Sequence, residues 1–127
     1  MKPEASPIRI QRSRQHKQVS PNGLPIVYVG RGSRWGNPFR IVKYRDGKWS
    51  IKTDKQECVE LLVKHCHAIY YTRESAAVDA IKCYELWLMK DSLINDAVKV
   101  LRGNNLSCWC RLDEKCHADL LLKLANT

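Results

Sequence analysis

Leu24-Pro25-Ile26-Val27-Tyr28-Val29-Gly30 is a short, apolar, β-branched run, long enough for a strand and too short for a stable helix. It runs into Gly30-Arg31-Gly32-Ser33-Arg34-Trp35-Gly36-Asn37-Pro38, where three glycines and a proline bar any helix. The chain therefore places a buried strand directly before an irregular loop. From Phe39 to Ile51 the pattern is that of a hairpin: Ile41, Val42 and Tyr44 precede the favoured turn Asp46-Gly47, and Trp49 and Ile51 alternate after it.

Helical patterns follow. Asp54 with Glu57 forms a capping-box arrangement, and Val59, Leu62, Val63, Cys66 and Ile69 continue one stripe. Ser75 opens a helix whose inner side includes Val78, Ile81, Tyr84, Trp87 and Leu88. Asp91 or Ser92 caps a third, with Leu93, Ile94, Ala97, Val98 and Leu101, and Gly103 stops it. Leu106 to Cys110 is a second short strand, and His117 to Ala125 closes the chain as a helix with Leu120, Leu121 and Leu124 inward. The alternation implies an α/β class: a small single-domain layered fold, with a short, mostly parallel sheet flanked by helices and a β-hairpin insertion. Residues 25–127 make that domain. Residues 1–24, with Pro3, Pro7, Pro21, Gly23 and many basic groups, read as a partly flexible arm.

Charge narrows the partners. The formal charge is +9, and much of the excess lies in the first 45 residues, at Arg9, Arg12, Arg14, Lys17, Arg31, Arg34, Arg40, Lys43 and Arg45. A localised surplus favours nucleic acid or a phosphorylated small molecule. No apolar run approaches the ~20 residues of a membrane span, and the N-terminus lacks the apolar core of a signal peptide. A cytoplasmic protein without a membrane partner is expected.

Two segments carry the candidate chemistry. Ligands gather beyond the carboxyl ends of parallel strands, where the Gly30–Pro38 loop would sit. There Gly30, Gly32 and Gly36 admit a phosphate close to main chain, Arg31 and Arg34 neutralise it, Trp35 stacks on a base or ribose, and Asn37 reads a base edge. The spacing fits neither a Walker loop nor a dinucleotide fingerprint. The plainer alternative makes Trp35 a core plug and leaves the arginines in water.

The second segment is Leu106-Ser107-Cys108-Trp109-Cys110, then five residues, then Cys116-His117-Ala118-Asp119. On a strand Cys108 and Cys110 share a face and Trp109 takes the other. Cys116 and His117 begin a helix, where unpaired N–H groups and the dipole lower a thiol's pKa. Three readings stay open. Cys108, Cys110, Cys116 and His117 hold zinc, although C-x-C-x5-C-H is not the usual pair of knuckles. Cys110 or Cys116 is a nucleophilic thiolate, with His117 as acid/base and Asp119 orienting it. Or the cysteines only fill tight space under the helix, with His117 hydrogen-bonding a ligand or the first loop. Cys58, Cys66 and Cys83 fall in helical patterns and read as small buried hydrophobes. His65 and His67 read as surface groups, and His16 in the arm as uninformative. No organic cofactor is called for.

Val27-Tyr28-Val29-Gly30-Arg31, Trp35-Gly36-Asn37-Pro38-Phe39 and the Cys108–Asp119 motifs together resemble the domain of unknown function 4326 family, over roughly residues 8–127. The resemblance implies a phage or prophage origin and a cytoplasmic setting. It also implies that Gly30, Arg31, Trp35, Gly36, Asn37, Pro38, Cys108, Trp109, Cys110, Cys116, His117 and Asp119 work as one unit. The expectation is that strands ending at Gly30 and Cys110 lie side by side, so that both motifs open on one pocket for a nucleotide or nucleic acid. Group transfer or hydrolysis there is as open as binding alone. The rivals are a non-catalytic nucleic-acid-binding module with structural zinc, and a phage effector that grips a host protein.

Overall fold

Asn105–Cys108, the last strand in the sequence (β5), is the middle strand of the main sheet. It is flanked by parallel partners, Arg9–Gln11 (β1) and Ile26–Tyr28 (β2), with Leu106 opposite both Arg9 and Val27. The structure is a computed structural model and describes residues 5–15, 17–90 and 92–127. A second, two-stranded antiparallel sheet is the expected hairpin, Phe39–Lys43 (β3) and Trp49–Thr53 (β4), closed through Gly47 at φ +87°. Four helices pack on these layers: Val59–His65 (α1), Arg73–Lys90 (α2), Leu93–Leu101 (α3) and His117–Ala125 (α4). The α/β class, the parallel sheet and the hairpin agree with the sequence pattern.

β1 lies inside the segment read as an arm. Its neighbours are strapped to β5 by Asn105, whose fully buried amide needs four partners in a place water does not reach. Asn105 Oδ1 accepts from the Ile8 N–H (3.0 Å) and from Asn22 Nδ2 (3.1 Å), and its Nδ2 donates to Asn22 Oδ1 (2.7 Å) and Ser20 Oγ (3.2 Å). Ile8, Ser20 and Asn22 are thus tied to the sheet by one side chain.

α2 starts as its sequence asks, although two residues early. Thr72 Oγ1 accepts from the Ser75 N–H (3.1 Å), and Ala76, Ala77, Ala80, Cys83, Tyr84, Trp87 and Leu88 form the buried face. α4 covers the sheet with Ala118, Leu121 and Ala125 buried. Together with Val29, Leu101, Leu106 and Cys108 they build one core. α3 ends at the glycine expected to stop it, Gly103 at φ +80°.

The region 54–69 departs from its pattern. Asp54 caps nothing: its carboxylate pairs with Arg40, and a 3-10 turn at Gln56–Cys58 precedes α1. α1 ends at His65 and buries no residue fully, because Cys66 is already extended at φ −112°, ψ 154°. Of the expected stripe Val59, Val63 and Ile69 are exposed and only Leu62 and Cys66 pack against the core, where Cys58 and Leu61 join them. Seven residues are too few for the stripe to decide the packing. At α3, Ser92 makes no side-chain cap, and Asp91 lies outside the described residues, as does His16. Among the described residues no helix is long and apolar enough to cross a membrane.

Candidate functional site

Because β2 and β5 are parallel neighbours, the chain leaves both at the same sheet edge. The loop after β2 and the segment after β5 meet there around a hollow of ≈530 Å³. Gly30, Arg31, Gly32 and Asn37 line it from one side, and Cys108, Trp109, Cys110, Lys115, Cys116 and His117 from the other. The hairpin contributes Phe39, Arg40 and Ile41, and α2 contributes Arg73, Ala77, Ala80 and Ile81. Alanines at 77 and 80 keep that helix low and leave the space open.

The loop is folded on itself. Gly30 O accepts from Ser33 Oγ (2.7 Å) and from the Ser33 N–H (3.1 Å), and Tyr28 Oη donates to Arg31 O (2.8 Å). A Cβ on Gly36 would lie 2.9 Å from the Gly30 carbonyl oxygen, so glycine there is a condition of closing the loop.

Three of the expected ligand residues serve the fold. Trp35 is only 5% exposed and packs in the core, with its carbonyl accepting from Tyr84 Oη at 2.5 Å, so it offers no face to a base. Arg34 turns away, pairs with Asp96, and with Gly36 lines a separate hollow of ≈310 Å³. Asn37 reaches the pocket wall, but its Oδ1 accepts from the Phe39 N–H (2.9 Å) and its Nδ2 points to Ala80 O (3.5 Å). That amide holds the turn into the hairpin.

The aromatic platform is Trp109, 46% exposed on the pocket rim. Arg12 sits between two rings, 4.8 Å from the Tyr28 centroid and 5.4 Å from that of Trp109. Four cations line the hollow. Arg40 pairs with Asp54 (3.1 Å) and Arg73 with Glu114 (3.3 Å), whereas Arg31 and Lys115 have no carboxylate partner among the described residues. Arg12, Tyr28, Arg40, Arg73 and Lys115 were not singled out as site residues from the sequence. They come from separate elements, and no local spacing joins them.

At the pocket floor the three sulfurs converge. Cys108, Cys110 and Cys116 have Sγ atoms all within 4.8 Å of one another, with Cys108 and Cys116 3.1 Å apart. The extended backbone at Cys116, φ −144° and ψ 146°, turns its thiol back toward β5. Hydrogen bonds from the Cys108 and Cys110 thiols, with a further contribution from His117, hold Cys116 far below the ordinary thiol range against the opposing effect of burial. Those same contacts with Cys110 and Cys116, then burial, push Cys108 up.

His117 is not part of that converging set. Its Nε2 donates to the Val29 carbonyl (2.7 Å), which fixes the proton on that nitrogen. Its Nδ1 faces Cys116 Sγ at 3.6 Å, and the Tyr84 ring packs edge-on at 5.2 Å. The expected orienting role of Asp119 does not hold: its carboxylate is 3.4 Å from Arg9 Nε, and a backbone carbonyl orients the imidazole instead.

Arg9, which the sequence shows only as one of the basic residues of the first 45, holds the loop behind the site. Its side chain is 7% exposed. Nη2 donates to the carbonyls of Leu112 (2.8 Å), Glu114 (2.9 Å) and Arg111 (3.1 Å), clamping the loop that carries Cys116. Burial alone would lower its pKa, but contact with the Cys116 sulfur and with Asp119 outweighs this and raises it. An arginine in a polar three-residue strand gives no local sign of such a role.

The profile of one protein family, described as Domain of unknown function (DUF4326), matches residues 8–127. No curated protein and no solved structure matches the chain.

Proposed function

The chain belongs to the DUF4326 family, whose match spans both motifs of the pocket, and on that premise we propose that it binds a nucleotide, free or at the end of a nucleic acid. The observation that carries this reading is the pairing of two cations that no carboxylate neutralises among the described residues, Arg31 and Lys115, with the exposed Trp109 ring on one hollow of ≈530 Å³. That volume lies within the ~300–1,000 Å³ of small-molecule sites. Uncompensated guanidinium and ammonium groups in a concave wall favour a phosphate. The half-exposed Trp109 ring offers a flat surface on which a base stacks. Arg31, Lys115 and Arg73 take the phosphate side, and Trp109 with Tyr28 the base side.

A thiol step on such a ligand would fall to Cys110, the half-buried member of the cluster, because Cys108 and Cys116 are 1% and 4% exposed. The second reading, a nucleic-acid-binding module, is favoured by the Arg12 rim and the +9 charge. A thermal-shift panel of mononucleotides, nucleosides, nucleotide sugars and short single-stranded oligonucleotides separates the two. A ligand at 100 times its Kd adds about 2.7 kcal/mol of stability. Stabilisation by a mononucleotide, lost in Arg31→Ala and Trp109→Ala, supports the pocket. Oligonucleotide binding that falls steeply with salt, without any mononucleotide effect, supports the module. No response across the panel refutes both.

A further inference from the structure

The three convergent thiols are more than a pocket floor needs. We infer that Cys108, Cys110 and Cys116 form a binding site for a single zinc-class divalent ion, with its fourth coordination position facing the hollow. In a tetrahedron with Zn–S bonds of about 2.3 Å, neighbouring sulfurs stand about 3.8 Å apart. The three Sγ atoms already lie within 4.8 Å of one another, and the closest pair at 3.1 Å must open by less than an ångström. The donors come from a strand end, a bend and a helix start, which approach from different directions as a tetrahedral centre requires.

Two independent features of the surroundings fit an ion there. Three thiolates around a divalent ion leave one net negative charge, and the buried Arg9 guanidinium, whose other neighbour is the more exposed Asp119 carboxylate, lies beside Cys116. Its Nη1 is buried and has no hydrogen-bond partner among the described residues. All three cysteines also line the hollow, and among the described residues no fourth His, Cys, Asp or Glu converges with them. His117, tied to Val29 O, acts as a wall beside Cys116 and not as that donor. The fourth position is left to water or to a ligand atom, the arrangement of metal sites that engage a substrate.

The test uses the whole chain purified in reductant. Elemental analysis should find about one equivalent of zinc per chain, held by the three thiolates. Replacement by cobalt should produce a near-ultraviolet thiolate-to-metal absorption, reduced by about one third in Cys110→Ser, which alters only the half-buried ligand. Cys66→Ala, outside the site, should leave both readings unchanged. Added cyanide should shift the cobalt visible bands when the fourth position is open. Protein that holds no metal and yields no thiolate–cobalt absorption overturns the site. Visible bands indifferent to cyanide overturn the open position. None of these readings involves a nucleotide, so the metal inference and the pocket's ligand stand or fall separately.

Discussion

Replacing Arg9 by methionine tests how the site is held. The substitution keeps most of the aliphatic stem and removes the guanidinium, so little cavity forms. What is lost is the set of bonds from Nη2 to the carbonyls of residues 111, 112 and 114, and the pair with Asp119. Hydrogen bonds to a charged group contribute about 1.5–3 kcal/mol each. An NH2 group has two hydrogens, so three acceptors share them, and the set counts as about one strong bond and one weak one. The Asp119 carboxylate is more than half exposed, which limits its pair to under about 1 kcal/mol. The expected loss is about 3 kcal/mol, a large share of the ~5–15 kcal/mol of a typical domain. For a chain of this length that lowers Tm by roughly 10 °C. Urea and thermal denaturation followed by circular dichroism measure it, with Arg40→Met as the comparison. That variant gives up only the pair with the exposed Asp54 and should lose less than about 1 kcal/mol. Arg9→Met within about 0.5 kcal/mol of the parent would show that the clamp is ornamental and the reasoning wrong.

The two tryptophans should part company: Trp35→Ala loses about 3–5 kcal/mol in denaturation, whereas Trp109→Ala stays within about 1 kcal/mol and loses nucleotide-induced stabilisation. Gly36→Ala pushes a methyl to 2.9 Å from the Gly30 carbonyl, which should cost about 1–3 kcal/mol and flatten the titration of any pocket ligand. Tyr84→Phe removes the only hydrogen bond described to the Trp35 carbonyl and should cost about 1–2 kcal/mol, read as a lower urea midpoint at unchanged slope.

What could be seen in the chain beforehand follows from how local each signal is. The run 24–30, the Asp46-Gly47 turn and the leucines of α4 carry their own periodicity, and those elements stand where their patterns put them. The same holds for the meeting of the two motifs, which needed only that strands ending at Gly30 and Cys110 be parallel neighbours. β1 escaped notice because three residues with an arginine and a glutamine have no pattern of their own: the open edge of β5 and the amide of Asn105 select them. The stripe from Val59 to Ile69 failed for the opposite reason, a pattern without the helix length to present it. Trp35 and Trp109 could not be told apart by composition, since each borders glycine or cysteine in a loop, and only the packing of α2 decides which ring is buried.

The placement of β5 between β1 and β2 also governs the order in which the molecule can be made. On a ribosome the first two strands emerge with nothing to pair with, and the roughly 80 residues separating β2 from β5 take on the order of 4–16 s to translate at about 5–20 residues per second. Throughout that interval the hairpin and α2 can form, but both future sheet edges stay open to wrong neighbours. The nascent chain is thus most exposed to holdase chaperones and to aggregation late in synthesis. A stall before Asn105 would release a product without its three-stranded sheet.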